Sequence, residues 1–157
     1  MRAVLIAILI VLIFVAGKYI MAAADKAQEK HDIVFNALQD LGDCRKDVYD
    51  KEVYAPIRAH LYASENLYRP TTVQMVESST PTADERKLLA TYNDEVRVCK
   101  NAAADKITPM APEMTQVMKD DLAKADDVMK RLIDGSITWG EAAHLSDNLI
   151  RSQHTTK

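Results

Sequence analysis

Few side chains in this sequence are equipped for chemistry, and their spacing narrows what they can do. Cys44 and Cys99 are the only two cysteines among 157 residues. Met110, Met114 and Met118 recur at helical spacing, and Met129 follows further along the same stretch. The histidines are His31, His60, His144 and His154, each far from the others. Tyr49, Tyr54, Tyr62 and Tyr68 fall close together, and Trp139 is the sole tryptophan.

Thioethers are soft ligands that suit Cu(I), so the methionine stripe is a candidate copper site. The same spacing places Met110, Met114 and Met118 on the apolar face of a helix, where methionine commonly fills core gaps. Core packing is the leading reading and copper the alternative. A zinc site needs three or four convergent ligands. No two histidines share a helical spacing and no cysteine lies beside one, so they read as surface residues. A nucleophile elbow, G-x-S-x-G, is missing from the sequence. The carboxylates fall in helix-surface pairs, not in the unlike environments that acid–base hydrolysis requires. The expectation is a protein with no catalytic residues and no cofactor.

That leaves recognition. Aromatic side chains next to a polar connection are suited to contact a protein partner, and long connections carry function more often than helices do. Tyr62, Leu67, Tyr68, Arg69 and Trp139 are the candidate contacts. A competing reading for Trp139 is that it covers the end of a bundle over Ile133 and Ile137.

The elements that position these residues begin with a leader. Arg2 is followed by Ala3 to Gly17, a run with no polar side chain, then Lys18 and the small residues Ala22, Ala23 and Ala24. This is the order of a secretory signal peptide cut before Asp25. The run lies between the length of a signal core and that of a membrane span, so an uncleaved anchor is the second reading. Either way the positive end stays inside and residues 25–157 are delivered across the membrane, periplasmic or secreted. Without residues 1–24 the basic residues fall from 20 to 18 against 23 acidic ones. Such a surface has no electrostatic attraction to nucleic acid or anionic lipid. In an oxidising compartment the even cysteine count predicts a Cys44–Cys99 disulfide.

Residues 25–157 read as one all-α domain, an antiparallel bundle of four to five helices. The first helix is expected from about Asp25 to Leu41, with Ile33, Val34, Phe35, Leu38 and Leu41 as its apolar positions and Gly42 just past its end. Residues 44–55 are ambiguous, and a fresh helix then uses Pro56 in its first turn. Residues 64–82 read as a polar connection in which Val73–Val76 forms a short strand or helical turn. Thr82 and Glu85 form a capping box for a helix carrying Leu88, Leu89, Tyr92, Val96, Cys99 and Ala103. Thr108 and Pro109 are expected to start the next helix, which stops at Gly135. Its outer face pairs Asp120–Lys124, Asp126–Lys130 and Asp127–Arg131. Thr138 and Glu141 cap the last helix, with Ile137 as a hydrophobic staple onto Ala142.

The stretch Gly135-Ser136-Ile137-Thr138-Trp139-Gly140-Glu141, and the capped helix from Thr82 to Cys99, resemble the C-terminal part of small exported helical proteins of proteobacteria. The resemblance covers the chain from Thr82 onward. It implies export and a helical fold, and the family has no assigned activity. The leading expectation is therefore an exported non-enzymatic helical protein that binds a protein partner in the cell envelope. Two alternatives stay open. One is a bundle that binds a ligand or copper, and the other a membrane-anchored structural or lysis-associated protein.

Overall fold

The computed structural model describes the backbone of residues 2–61 and 70–154, and the side chains of 24–61 and 70–152. Six α-helices are present: α1 Arg2–Asp50, α2 Ala55–Arg58, α3 Thr72–Met75, α4 Ala83–Ile107, α5 Pro112–Ile133 and α6 Trp139–His154. A 3-10 turn at Glu52–Tyr54 joins α1 to α2. Among the residues whose side chains are described, 24–61 and 70–152, no stretch of helix is long and apolar enough to cross a membrane. The choice between cleaved leader and anchor falls on side chains outside the described ones.

The all-α bundle with one disulfide is what the structure contains. Four rungs set the register of α1 on α4. Ala37 packs with Ile107, Lys106 Nζ lies 2.7 Å from Asp40 Oδ2, Cys44 bonds Cys99, and Lys51 bridges Glu95 at 3.0 Å. Residue numbers rise on one helix as they fall on the other, so the pair is antiparallel. The Cys44–Cys99 Cα separation of 5.8 Å lies in the ordinary range for a disulfide.

The main core gathers Val48 from α1, Tyr54, Ile57 and Leu61 around α2, Leu89, Tyr92 and Val96 from α4, Val128 and Leu132 from α5, and Ile137, Trp139 and Ala142 from the start of α6. Tyr54 is fully buried and sets its ring edge-on to Tyr92 at 5.3 Å. Burial, reinforced by a hydrogen bond to Glu95, pushes its hydroxyl up to about 12. Lys51 holds the Glu95 carboxyl below its ordinary value. The opposite end has a much thinner core of Ala37, Ile107 and Ala111, flanked by Val34 and Met118.

Three helix boundaries are as the sequence predicts. The Thr82–Glu85 and Thr138–Glu141 capping boxes are both formed. Gly135 adopts φ 71°, and the amides of Gly135 and Ser136 donate to the carbonyls of Leu132 and Arg131, closing α5 with a Schellman motif. Pro56 lies in the first turn of α2 as expected. The Val73–Val76 stretch resolves as a helical turn, opened by a capping box between Thr71 and Gln74.

Three expectations need correction. Gly42 does not end the first helix, which runs on to Asp50. The seam Val34, Ala37, Leu41, Cys44, Val48 continues through it at spacings of three and four. Packing of that seam outweighs the roughly 1 kcal/mol that glycine costs a helix interior. Arg58 then caps the far end of α1, donating to the carbonyls of Tyr49, Asp50 and Lys51. Thr108 does not start the next helix. It closes α4, its hydroxyl donating to Ala104 O at 2.7 Å, and Pro112 takes the first position of α5. Finally, Asp126 is not paired with Lys130. It accepts from the buried Lys100 of α4 at 3.1 Å, tying α4 to α5.

The Gly42 result carries a prediction. A Cβ built at this position meets nothing within 4 Å. Gly42→Ala should therefore raise the unfolding free energy by about 0.5–1 kcal/mol in urea melts. A destabilised variant would mean that the α1 backbone at Gly42 is not helical.

Candidate functional site

Of the five candidate contact residues, Tyr62, Leu67, Tyr68 and Arg69 lie outside the described residues. Trp139 is described, and it is 4% exposed. Its ring stacks on the His60 imidazole at 4.5 Å, and its amide donates to Ser79 O at 3.0 Å. The neighbouring Gly140 amide donates to Glu77 O at 2.9 Å. The segment around Met75–Ser79 thus lies across the N-terminus of α6 and satisfies donors that a helix start leaves open. His60 completes this brace. Its Nδ1 is 2.9 Å from Glu77 Oε2 and its Nε2 3.8 Å from Glu85 Oε1. His60 is therefore half-buried, unlike the exposed His31 and His144. The ring of Trp139 is covered by this brace, so it serves packing in the folded chain.

The methionines do not share one environment. Met118 is half-buried against the thin core and Met129 against the main one. Met110 and Met114 are each 38% exposed, which corrects the expectation that they fill the core. Met110 lies in the turn before α5 and not on the helix.

Met114 leads to the open surface. α1 and α5 each pack on α4, and a groove of about 370 Å³ runs between them at the thin-core end. Ala27, His31, Phe35 and Leu38 of α1 form one wall, and Ala111 and Met114 the other. Phe35 is 58% exposed and Leu38 40%, and Val117, one turn beyond Met114, is 62% exposed. Lys30 Nζ bridges Glu113 Oε1 across the groove at 3.1 Å. The Glu113 carboxyl is held below its ordinary value by a hydrogen bond with its own backbone and then by Lys30. The His31 ring lies parallel to Phe35 at 6.2 Å, with Nδ1 3.5 Å from Asp32 Oδ1.

The sequence marks Phe35 and Leu38 as apolar helix positions without saying what covers them, and the structure leaves both exposed. The signal was present: α1 carries two apolar stripes. Val34, Ala37, Leu41 and Val48 form the packed one, and Ala27, His31, Phe35 and Leu38 the open one. Periodicity shows both stripes without showing which has a partner helix. Among the described residues, no three histidine, cysteine, aspartate or glutamate side chains converge as a metal site would need. No protein-family model, curated protein or solved structure matches this chain.

The brace over α6 makes its own prediction. A Cβ on Gly140 would lie 2.5 Å from Glu77 O and 2.6 Å from Met75 O, both backbone atoms. Gly140→Ala should displace the 75–79 segment and destabilise the fold by about 1–3 kcal/mol. Faster amide exchange at Trp139 and Gly140 would be the local readout, and unchanged exchange there would refute the brace.

Proposed function

We propose that the chain is an exported, non-enzymatic protein that binds a protein partner in the cell envelope. The groove between α1 and α5 is its docking surface, and the occupant is an amphipathic helix of that partner. One observation carries this reading: Phe35, Leu38 and Met114 stand exposed around a single open groove. Large apolar side chains grouped in this way expose surface that a monomer gains by covering. A groove walled by two helices accepts a third helix through apolar anchors at spacings of three and four.

Export is supported by the leader and by the disulfide. The bond between Cys44 and Cys99 persists in the periplasm or outside the cell and is rarely kept in the cytosol. Cleavage before Asp25 releases the domain; retention of the leader tethers it to the inner membrane. The absence of a recognisable catalytic set in the sequence favours binding over catalysis.

A photo-crosslinking residue at position 35, installed in cells, tests the docking surface. The expected result is one defined adduct with an envelope protein. Phe35→Glu and Leu38→Glu, each with a second crosslinker at position 114, should lower its yield more than about tenfold, as loss of an anchor worth about 2 kcal/mol implies. Because both side chains face solvent, their stability should change by no more than about 0.5 kcal/mol. Recovery of background adducts alone, or of the same adduct from both variants, would refute the groove. Sequencing the adduct's N-terminus should give Asp25, and a start at Met1 would replace release with tethering.

A further inference from the structure

Both cysteines of the chain are joined in one bond. No thiol is left to meet an oxidant, and the thioethers are the remaining sulfur targets. From this and from the place of Met114 we infer a modification site. A peroxide oxidises the Met114 sulfur to the sulfoxide, and the oxidised side chain releases the partner from the α1–α5 groove. The inference rests on the docking reading and adds a means of regulating it.

Access separates the methionines, because an oxidant reacts with a sulfur that it can reach. Met118 and Met129 pack against the two cores, and Met75 is half-buried. Met110 and Met114 are each 38% exposed. Of these two only Met114 lines the groove, with Phe35 and Leu38 on the other wall. Met110, in the turn before α5, is thus an accessible sulfur away from the groove.

The step is a two-electron oxygen transfer. A lone pair on the thioether sulfur forms the S–O bond as the O–O bond of hydrogen peroxide breaks. The sulfur is oxidised and the peroxide reduced. The departing hydroxide takes the proton of the transferred oxygen and leaves as water. The product is polar where the thioether was apolar, and enzymatic reduction can reverse it. In the open groove the new oxygen is hydrated. An apolar helix seated there would strip that water away, and the lysine of the lining, Lys30, is already held by Glu113. Burying a polar group without a replacement hydrogen bond is costly enough to lower affinity about tenfold or more.

The test treats the full chain with graded hydrogen peroxide and maps sulfoxides by peptide mass. Met110 and Met114 should oxidise several-fold ahead of Met75, Met118 and Met129. The chain with the photo-crosslinker at position 35 is then oxidised, freed of peroxide and returned to envelope extract. Oxidation should lower its adduct yield about tenfold, and equally that of its Met110→Leu variant. The Met114→Leu variant should keep its own untreated yield. Methionine sulfoxide reductases for both epimers should restore the adduct, and circular dichroism checks that the fold survives oxidation. An unreacted Met114 beside oxidised Met118 or Met129 would overturn the proposal. So would an adduct that persists after complete oxidation of Met114, or an equal fall in the Met114→Leu variant. No adduct from the untreated chain would refute the docking reading and the release with it. The sulfoxide map needs no partner, so the two failures are told apart.

Discussion

Cys44 and Cys99 join α1 to α4 part-way along an antiparallel contact, and the rungs on either side of that bond keep one register. Toward one end lie Asp40–Lys106 and the Ala37–Ile107 packing, and toward the other Lys51–Glu95. A helix pair without such a lock can slide or rotate by fractions of a turn at modest cost. Here the slide is blocked, and the consequences spread in both directions. Val48 stays in the main core, and the end of α1 stays where Arg58 can cap it. At the other end, α1 is held beside the start of α5, and the groove exists because both helices rest on α4 without closing on each other.

The two ends of the bundle are packed differently. One is filled by Tyr54, Ile57, Leu89 and Trp139, and is braced by the chain segment that crosses the start of α6. Its polar groups are paired: His60 with Glu77, and Lys51 with Glu95. The other end has a small-residue core and leaves its largest apolar side chains in solvent. Stability concentrated at one end allows the other to keep uncovered surface, because the exposed groove is not what holds the helices together. That is the physical basis for placing binding at Phe35, Leu38 and Met114, and not at the sole tryptophan.

Much of the fold was legible because its boundaries are local. A capping box needs only two residues three apart, and Thr82–Glu85 and Thr138–Glu141 are both used as spelled. Gly135 takes a positive φ that other residues avoid, so it marks the end of α5 reliably. The disulfide followed from counting two cysteines behind a leader. What the sequence hid depends on contacts between distant segments. Gly42 looks like a stop unless the seam beyond it is known to have a partner. Thr108-Pro109 and Ala111-Pro112 are competing helix starts, and the choice is made by Thr108 staying bonded to Ala104. Asp126 has Lys130 within reach on its own helix, yet turns to Lys100 across the interface. The candidate site was the least legible part, because Phe35 and Leu38 are apolar residues whose exposure reflects a missing neighbour and not their own chemistry.

The register lock is tested most directly by native-state hydrogen exchange on the chain and on its Cys44→Ala/Cys99→Ala variant. Closing a loop of 55 residues is worth about 4 kcal/mol in the chain-entropy treatment, with measured values more often 2–4. The account predicts a global loss of about that size in the variant, with the largest fall in protection along α1 between Val34 and Val48 and a smaller one in α5 and α6. Equal stability and unchanged protection along α1 would contradict it, and the groove would then owe its shape to something other than the bond between α1 and α4.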